Sequence, residues 1–281
     1  MRKKPIVALI YDFDGTLSPG NMQEFGFIQA VGKTAPEFWA MSDKLAVGQD
    51  ASNVLSYMKM MFDEAKANGI KLRREDFNRF GANVELFEGV SQWFGLINRY
   101  GREHGLVIEH YINSSGLKEI VEGCSIAGEF RHIYAGSFIY NEQGEAEWPG
   151  IAVDYTAKTQ FLFKISKGIF SARDNKQVND SIADDKKRVP FSHMIYFGDG
   201  DTDVPCMKIV GMFGGHSIAV YDPENDRKKA TARKLKRQGR VNFIAPANYE
   251  SGSRMFDIVR HIIDKIVADL ELNDLARKGT K

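Results

Sequence analysis

A doubly wound, mostly parallel α/β sheet with a helical insertion is the fold class this sequence predicts. Short, continuous apolar runs, such as Ile6-Val-Ala-Leu-Ile10, His193-Met-Ile-Tyr-Phe197 and Ile218-Ala-Val-Tyr221, read as strands buried on both faces. Between them lie stretches with apolar residues at three- and four-residue spacing, the period of amphipathic helices. A long run of helical character, from about Pro19 to Glu85, interrupts the alternation straight after the first strand and reads as an inserted cap.

Each element has a local reason. Pro5 to Tyr11 forms the first strand and ends in Asp12-Phe-Asp-Gly-Thr-Leu-Ser-Pro-Gly20, where Gly15, Pro19 and Gly20 signal a loop. Within the insertion, Ser52 to Ala65 places Leu55, Met58, Phe62 and Ala65 on one helical face, and Asn68-Gly69 closes it. A helix over about Val90 to His104 leads through Gly105 into the apolar run Leu106-Val107-Ile108, which continues to Tyr111-Ile112. The loop Asn113-Ser-Ser-Gly116 is expected at that strand's end. Ser137-Phe-Ile-Tyr140, a polar turn over Asn141 to Gly144, and the residues up to Trp148 predict a hairpin. Lys158 to Lys167 reads as helix, and the strand His193 to Phe197 ends at Gly198-Asp-Gly-Asp-Thr-Asp203. Two further short strands, Ile218 to Tyr221 and Val241 to Ile244, precede a C-terminal amphipathic helix over Met255 to Leu272. The expected division is a core of residues 1–18 and 86–281, with a helical cap over 19–85.

Composition narrows the class further. Apolar residues at 43% and charged residues at 27% are ordinary for a globular chain, and exclude collagen-like and disordered classes. Lys and Arg number 38 against 37 Asp and Glu, a net charge of +1, so no large charge draws the chain to nucleic acid or an anionic membrane. No stretch approaches the roughly 18 apolar residues of a spanning helix. Cys124 and Cys206 are too few for a disulfide framework and lack metal-type spacing. Met1-Arg-Lys-Lys before an apolar run imitates a signal peptide, but Asp12 breaks the run early and no small-residue cleavage site follows, so a cytoplasmic protein is expected. The charge runs Asp184-Asp-Lys-Lys-Arg188 and Arg227-Lys-Lys229, with Arg233, Lys234, Lys236 and Arg237, lack interleaved aromatics and read as solvated faces.

Four polar clusters carry candidate chemistry. Open α/β sheets build their sites beyond the carboxyl ends of their strands, where these clusters fall. In Asp12-Phe13-Asp14-Gly15-Thr16, two carboxylates at i, i+2 off a strand project to one side and repel unless a hard cation such as Mg²⁺ lies between them. A polar turn is the plain alternative, since Asp and Gly are common turn residues. Ser114-Ser115-Gly116 offers hydroxyls and free N–H groups to phosphoryl oxygens, or else a simple helix cap. Lys158 stands at the start of a helix. Gly198-Asp199-Gly200-Asp201-Thr202-Asp203 sets three acids on a Gly-rich turn, suited to a divalent cation; an EF-hand loop would need a glutamate at its twelfth position, and none is there.

Taken together and in this order, the clusters resemble the motifs of the haloacid dehalogenase superfamily: DxDGT after the first strand, Ser or Thr after the second, a Lys, then GDxxxD after a later strand. They span Asp12 to Asp203, about two thirds of the chain. The resemblance implies a Rossmann-like core and a Mg²⁺-dependent phosphohydrolase. It makes Asp12 the nucleophile and Asp14 the general acid and base. Ser114, or Ser115 as the alternative in the doublet, would bind the phosphoryl group with Gly116. Lys158 would neutralise charge, with Lys164 and Lys167 as weaker candidates. Mg²⁺ would be held by Asp12, Asp14 through its carbonyl, and Asp199, with Asp203 in support, while Asp201 falls at a variable position. The acid at Asp14 argues against the superfamily's dehalogenases, which lack one there.

The insertion resembles the helical C1-type cap of this superfamily, and the phosphoserine phosphatase branch is the nearest pattern. That branch usually has DxDST where this chain has Gly15, and its cap glutamate stands at a spacing that Glu24 does not match. Phe25, Phe27, Phe38, Trp39, Tyr57, Met58, Met60, Met61 and Phe62 are expected mainly to form the interior of the cap, with one or two reaching the substrate pocket. Arg73, Arg74 and Arg79 are expected at the surface. The expected partner is a small phosphorylated metabolite. A phosphotransferase that passes the phosphoryl group to another alcohol, and a non-catalytic binding protein that keeps the fold, are the competing classes.

Overall fold

The computed structural model describes residues 4–174, 176–183 and 186–278. Asp184 and Asp185 of the first charge run, and the basic start Met1 to Lys3, lie outside them. Seven strands form one sheet in the order β4-β3-β2-β1-β5-β6-β7. They are β1 (Ile6–Tyr11), β2 (Val107–Leu117), β3 (Phe130–Tyr140), β4 (Ala146–Ile151), β5 (Met194–Gly198), β6 (His216–Tyr221) and β7 (Phe243–Pro246). All pairings are parallel except β3 with β4, the predicted hairpin. The chain moves outward from β1 through β2, β3 and β4, then returns beside β1 at β5. This reversal opens a crevice at the carboxyl end of β1.

The apolar runs are strands because both their faces are covered. Val7, Leu9 and Tyr11 point into one cluster, and Ala8 and Ile10 into the other. On the first face lie α5 (Val90–Glu103), through Trp93, Phe94 and Ile97, and α10 (Arg254–Lys278), through Val259 and Ile263. On the second lie α7 (Tyr155–Lys167), α8 (Val204–Met212) and α9 (Asp226–Arg237), through residues such as Leu162, Val210 and Leu235. Each fully buried side chain of this size contributes about 1.5–3 kcal/mol. No helix among the described residues is long and apolar enough to cross a membrane.

Between β1 and α5 the chain is helical: α1 (Phe27–Ala30), α2 (Ala35–Gln49), α3 (Asn53–Ala67) and α4 (Arg74–Gly81). Thr34 starts α2 with a reciprocal pairing to Glu37, and the Ser52 hydroxyl accepts from the Leu55 N–H at the start of α3. Phe27, Phe38, Met58 and Met61 are fully buried, and they share one cluster with the sheet. The seam with α6 (Lys118–Gly123) is so close that a Cβ on Gly81 would lie 2.0 Å from the Ile120 carbonyl oxygen. Arg73, Arg74 and Arg79 spend their charge on Glu145, on Glu119 and Glu122, and on Asp76 respectively.

Several boundaries differ from expectation. Residues 113–116 belong to β2, as an irregularity rather than a loop. β3 begins at Phe130, seven residues before Ser137, because its first half pairs with β2. α7 starts at Tyr155, so Lys158 sits in its first turn. β7 lies two residues beyond Val241, which is buried before the strand begins.

Candidate active site

Asp12 follows β1 directly, and its N–H donates to the Phe197 carbonyl at 2.8 Å, which ties the end of β1 to β5. The chain then turns tightly. Gly15 has φ +72°, and a Cβ there would lie 2.3 Å from Asp199 Oδ2. A side chain here would strain the left-handed backbone and press on the Asp199 carboxylate. The turn aims the Asp14 carboxylate back over the strand end, where its Oδ1 accepts the Met22 N–H at 2.9 Å.

Ser114, Ser115 and Gly116 form a bulge. Between the pairs Asn113–Tyr134 and Leu117–Gly136, β2 carries these three residues where β3 carries Ala135 alone. The extra length throws them toward Asp12. Ser114 Oγ accepts the Gly116 N–H at 3.0 Å, whereas Ser115 Oγ is buried with no hydrogen-bond partner. The Ser115 carbonyl accepts Tyr57 Oη at 2.7 Å from α3.

Lys158 is fully buried and its Nζ lies 2.9 Å from Asp12 Oδ1 and 2.7 Å from Asp203 Oδ1. Asp203 also accepts Tyr196 Oη at 2.8 Å, and Lys158 Nζ reaches Thr202 Oγ1 at 3.5 Å. Asp199 follows β5 directly and pairs with Lys228 of α9 at 2.5 Å. Oxygens of Asp12, Asp199 and Asp203 lie within 4.8 Å of one another. Four clusters spread over Asp12 to Asp203 thus converge at the carboxyl edge of the sheet.

The charges do not balance. Asp12, Asp14, Asp199 and Asp203 face Lys158 and Lys228, four carboxylates against two ammonium groups. Burial, the Asp203 charge and the Asp199 charge push the Asp12 carboxyl up to about 7, against the pull of Lys158. Burial and the neighbouring Asp12 raise Asp14 well above the carboxylate range, and burial raises Asp199. Burial alone would discharge Lys158, yet Asp12 and Asp203 override it and hold the ammonium charged.

A cavity of about 380 Å³ opens on this cluster, with Asp12, Asp14, Ser114, Ser115 and Asp199 in its wall. The segment between β1 and α5 contributes Pro19, Gly20, Asn21 and Glu24, and none of its aromatic side chains. Trp39 acts one step back: its indole N–H donates to Glu24 Oε1 at 2.6 Å.

Lys164 and Lys167 are not in the cluster. Lys164 donates to the Ser171 and Ala172 carbonyls, and Lys167 to those of Val178 and Asp180. Asp201 is exposed. Sequence reasoning misses Tyr196, Thr202 and, above all, Lys228, whose basic neighbours on α9 make it look like part of a solvated charge run. Its signal was Asn225, whose side chain accepts the Arg227 and Lys228 N–H groups and starts α9 beside the carboxyl end of β6.

A family model described as haloacid dehalogenase-like hydrolase matches residues 9–208. An uncharacterized protein of Borreliella burgdorferi is 28% identical over 288 residues, covering 91% of this chain and 95% of that protein. Among solved structures, a substrate-bound phosphoserine phosphatase superposes with a TM-score of 0.57 at 13% identity, covering 92% of this chain and 99% of the other. A probable phosphoserine phosphatase from Vibrio cholerae gives 0.59 at 12%, covering 95% and 67%. A haloacid dehalogenase family hydrolase from Salmonella enterica serovar Typhi gives 0.55 at 14%; 82% of this chain matches 66% of its length. At these identities the likeness is one of fold.

Proposed function

Because the chain belongs to the haloacid dehalogenase-like hydrolase family, we propose that it is a Mg²⁺-dependent phosphatase that cleaves a small phosphomonoester through an aspartyl phosphate. One observation carries this reading: the Asp12 and Asp14 carboxylates, the serine bulge and Asp199 open on one small polar cavity, with Lys158 directly behind Asp12. Its volume suits a metabolite rather than a polymer.

In this reading Asp12 attacks phosphorus, the bond to the ester oxygen breaks, and Asp14 gives that oxygen its proton. Asp14 then takes a proton from a water that attacks the same phosphorus, which releases phosphate and restores Asp12. Ser114, Ser115 and the N–H of the bulge hold the phosphoryl oxygens, and the orphaned Ser115 hydroxyl is a ready donor. Lys158 stays charged between Asp12 and Asp203 and balances the incoming phosphate.

The excess of carboxyl groups over ammonium groups, four to two, and the all-oxygen donors fit a hard divalent cation. Asp12, Asp199 and the Asp14 carbonyl would hold it, with Asp203 supporting the arrangement through Lys158. Such a cation polarises phosphoryl oxygens and offsets their charge. Residues 19–85 would act as the cap: they contribute one wall of the cavity, and the Met22 N–H fixes Asp14.

Hydrolysis of p-nitrophenyl phosphate with and without Mg²⁺, by the wild type and by Asp12→Asn, tests the proposal. The expected result is metal-dependent release of phosphate that Asp12→Asn abolishes. An absence of turnover with this ester and with a panel of phosphorylated metabolites would overturn it.

A further inference from the structure

Two lysines reach the carboxylate cluster among the described residues, and they differ in kind. Lys158 is sealed behind Asp12, whereas the side chain of Lys228 is 47% exposed and stands on the cavity wall. Its ammonium lies 2.5 Å from Asp199 Oδ2. Asn225 holds the backbone beneath it, accepting the Arg227 and Lys228 N–H groups at 3.1 and 3.2 Å. The lysine therefore reaches Asp199 from a fixed helix start on a flexible stem, and water is open to it on the other side.

We propose that Lys228 is a resident counter-ion that competes with the divalent cation for Asp199 and so sets the cation affinity of the site. The inference rests on the reading of Asp199 as a cation ligand. A carboxylate oxygen committed to an ammonium 2.5 Å away is not free for a metal, and a positive charge at that distance also repels an incoming dication. Entry of the cation displaces the lysine toward solvent, which its exposure permits. Lys158 cannot yield in this way, because it is buried and shared with Asp203.

Mn²⁺ binding to the substrate-free protein, followed by the loss of the free-ion electron paramagnetic resonance signal, tests this in the wild type, Lys228→Met, Lys228→Arg and Asp199→Asn. Removing a half-exposed pair and its repulsion predicts that Lys228→Met binds Mn²⁺ roughly three- to tenfold more tightly. Lys228→Arg stays near the wild type, and Asp199→Asn binds weakly. Thermal melts of the same samples report folding: Mn²⁺ raises the Tm of Lys228→Met by more than that of the wild type. Equal or weaker Mn²⁺ affinity in Lys228→Met overturns the proposal. If the wild type then still binds Mn²⁺ and hydrolyses p-nitrophenyl phosphate, the proposed function stands without it. If the wild type neither binds Mn²⁺ nor turns over, both fall.

Discussion

Tyr11 and Asp12 are neighbours at the end of β1, and each belongs to a buried polar cluster, but the two clusters are built on opposite principles. Around Tyr11 every group is neutral and paired. The Trp93 indole N–H donates to Tyr11 Oη at 2.8 Å, Tyr11 Oη lies 3.0 Å from His110 Nδ1, and His110 Nε2 lies 3.1 Å from Asn98 Oδ1. One tautomer, with the proton on Nε2, satisfies the whole chain. Around Asp12 carboxyl groups outnumber the two lysines, burial raises Asp12, Asp14 and Asp199, and the Ser115 hydroxyl has no partner. A closed network stabilises a fold, and an open one awaits a ligand that completes it.

The contrast is broken or sharpened by substitution. The largest effect is expected from Asp12→Asn, with turnover of a phosphomonoester falling at least ~10³-fold. Its melting temperature without metal should equal or exceed that of the wild type, because a buried like-charge contact is relieved. A large drop in Tm would place Asp12 with the structural cluster. Trp93→Ala, which empties a fully buried site, should cost about 3–5 kcal/mol in urea denaturation. Tyr11→Phe leaves the Trp93 N–H and the His110 nitrogen unpaired and should cost about 1–3 kcal/mol while the folded enzyme retains its kcat.

A further effect concerns pH. Burial holds His110 neutral, with its pKa lowered from 6.5 to about 3. Its contribution to stability is therefore complete above pH 6.5 and is lost as the pH falls from 6.5 toward 3. The stability gap between the wild type and His110→Gln should shrink over that window; a constant gap would mean that His110 is not the group titrating.

The sheet was legible in the sequence because strands covered on both faces are apolar at every position, as Ile6 to Tyr11 shows. The site was legible because its carboxylates sit in short motifs at strand ends. Two parts were not. The bulge at Ser114 depends on how β2 and β3 pair, which residues 113–116 do not encode alone. Lys228 lies 29 residues from Asp199 in sequence, and only the α/β winding returns it to the carboxyl edge; on its own helix it looks like one more solvated cation. Glu24 is a similar case, since its link to Trp39 spans 15 residues of the helical segment after β1.

The most direct test of the account is chemical. Wild-type protein turning over a ³²P-labelled phosphomonoester is quenched in acid, and the label is followed into peptides. An acid-stable, base-labile phosphoryl group is expected on the peptide that carries Asp12, and none in Asp12→Asn. Turnover without label on the protein, or label on another residue, would contradict it.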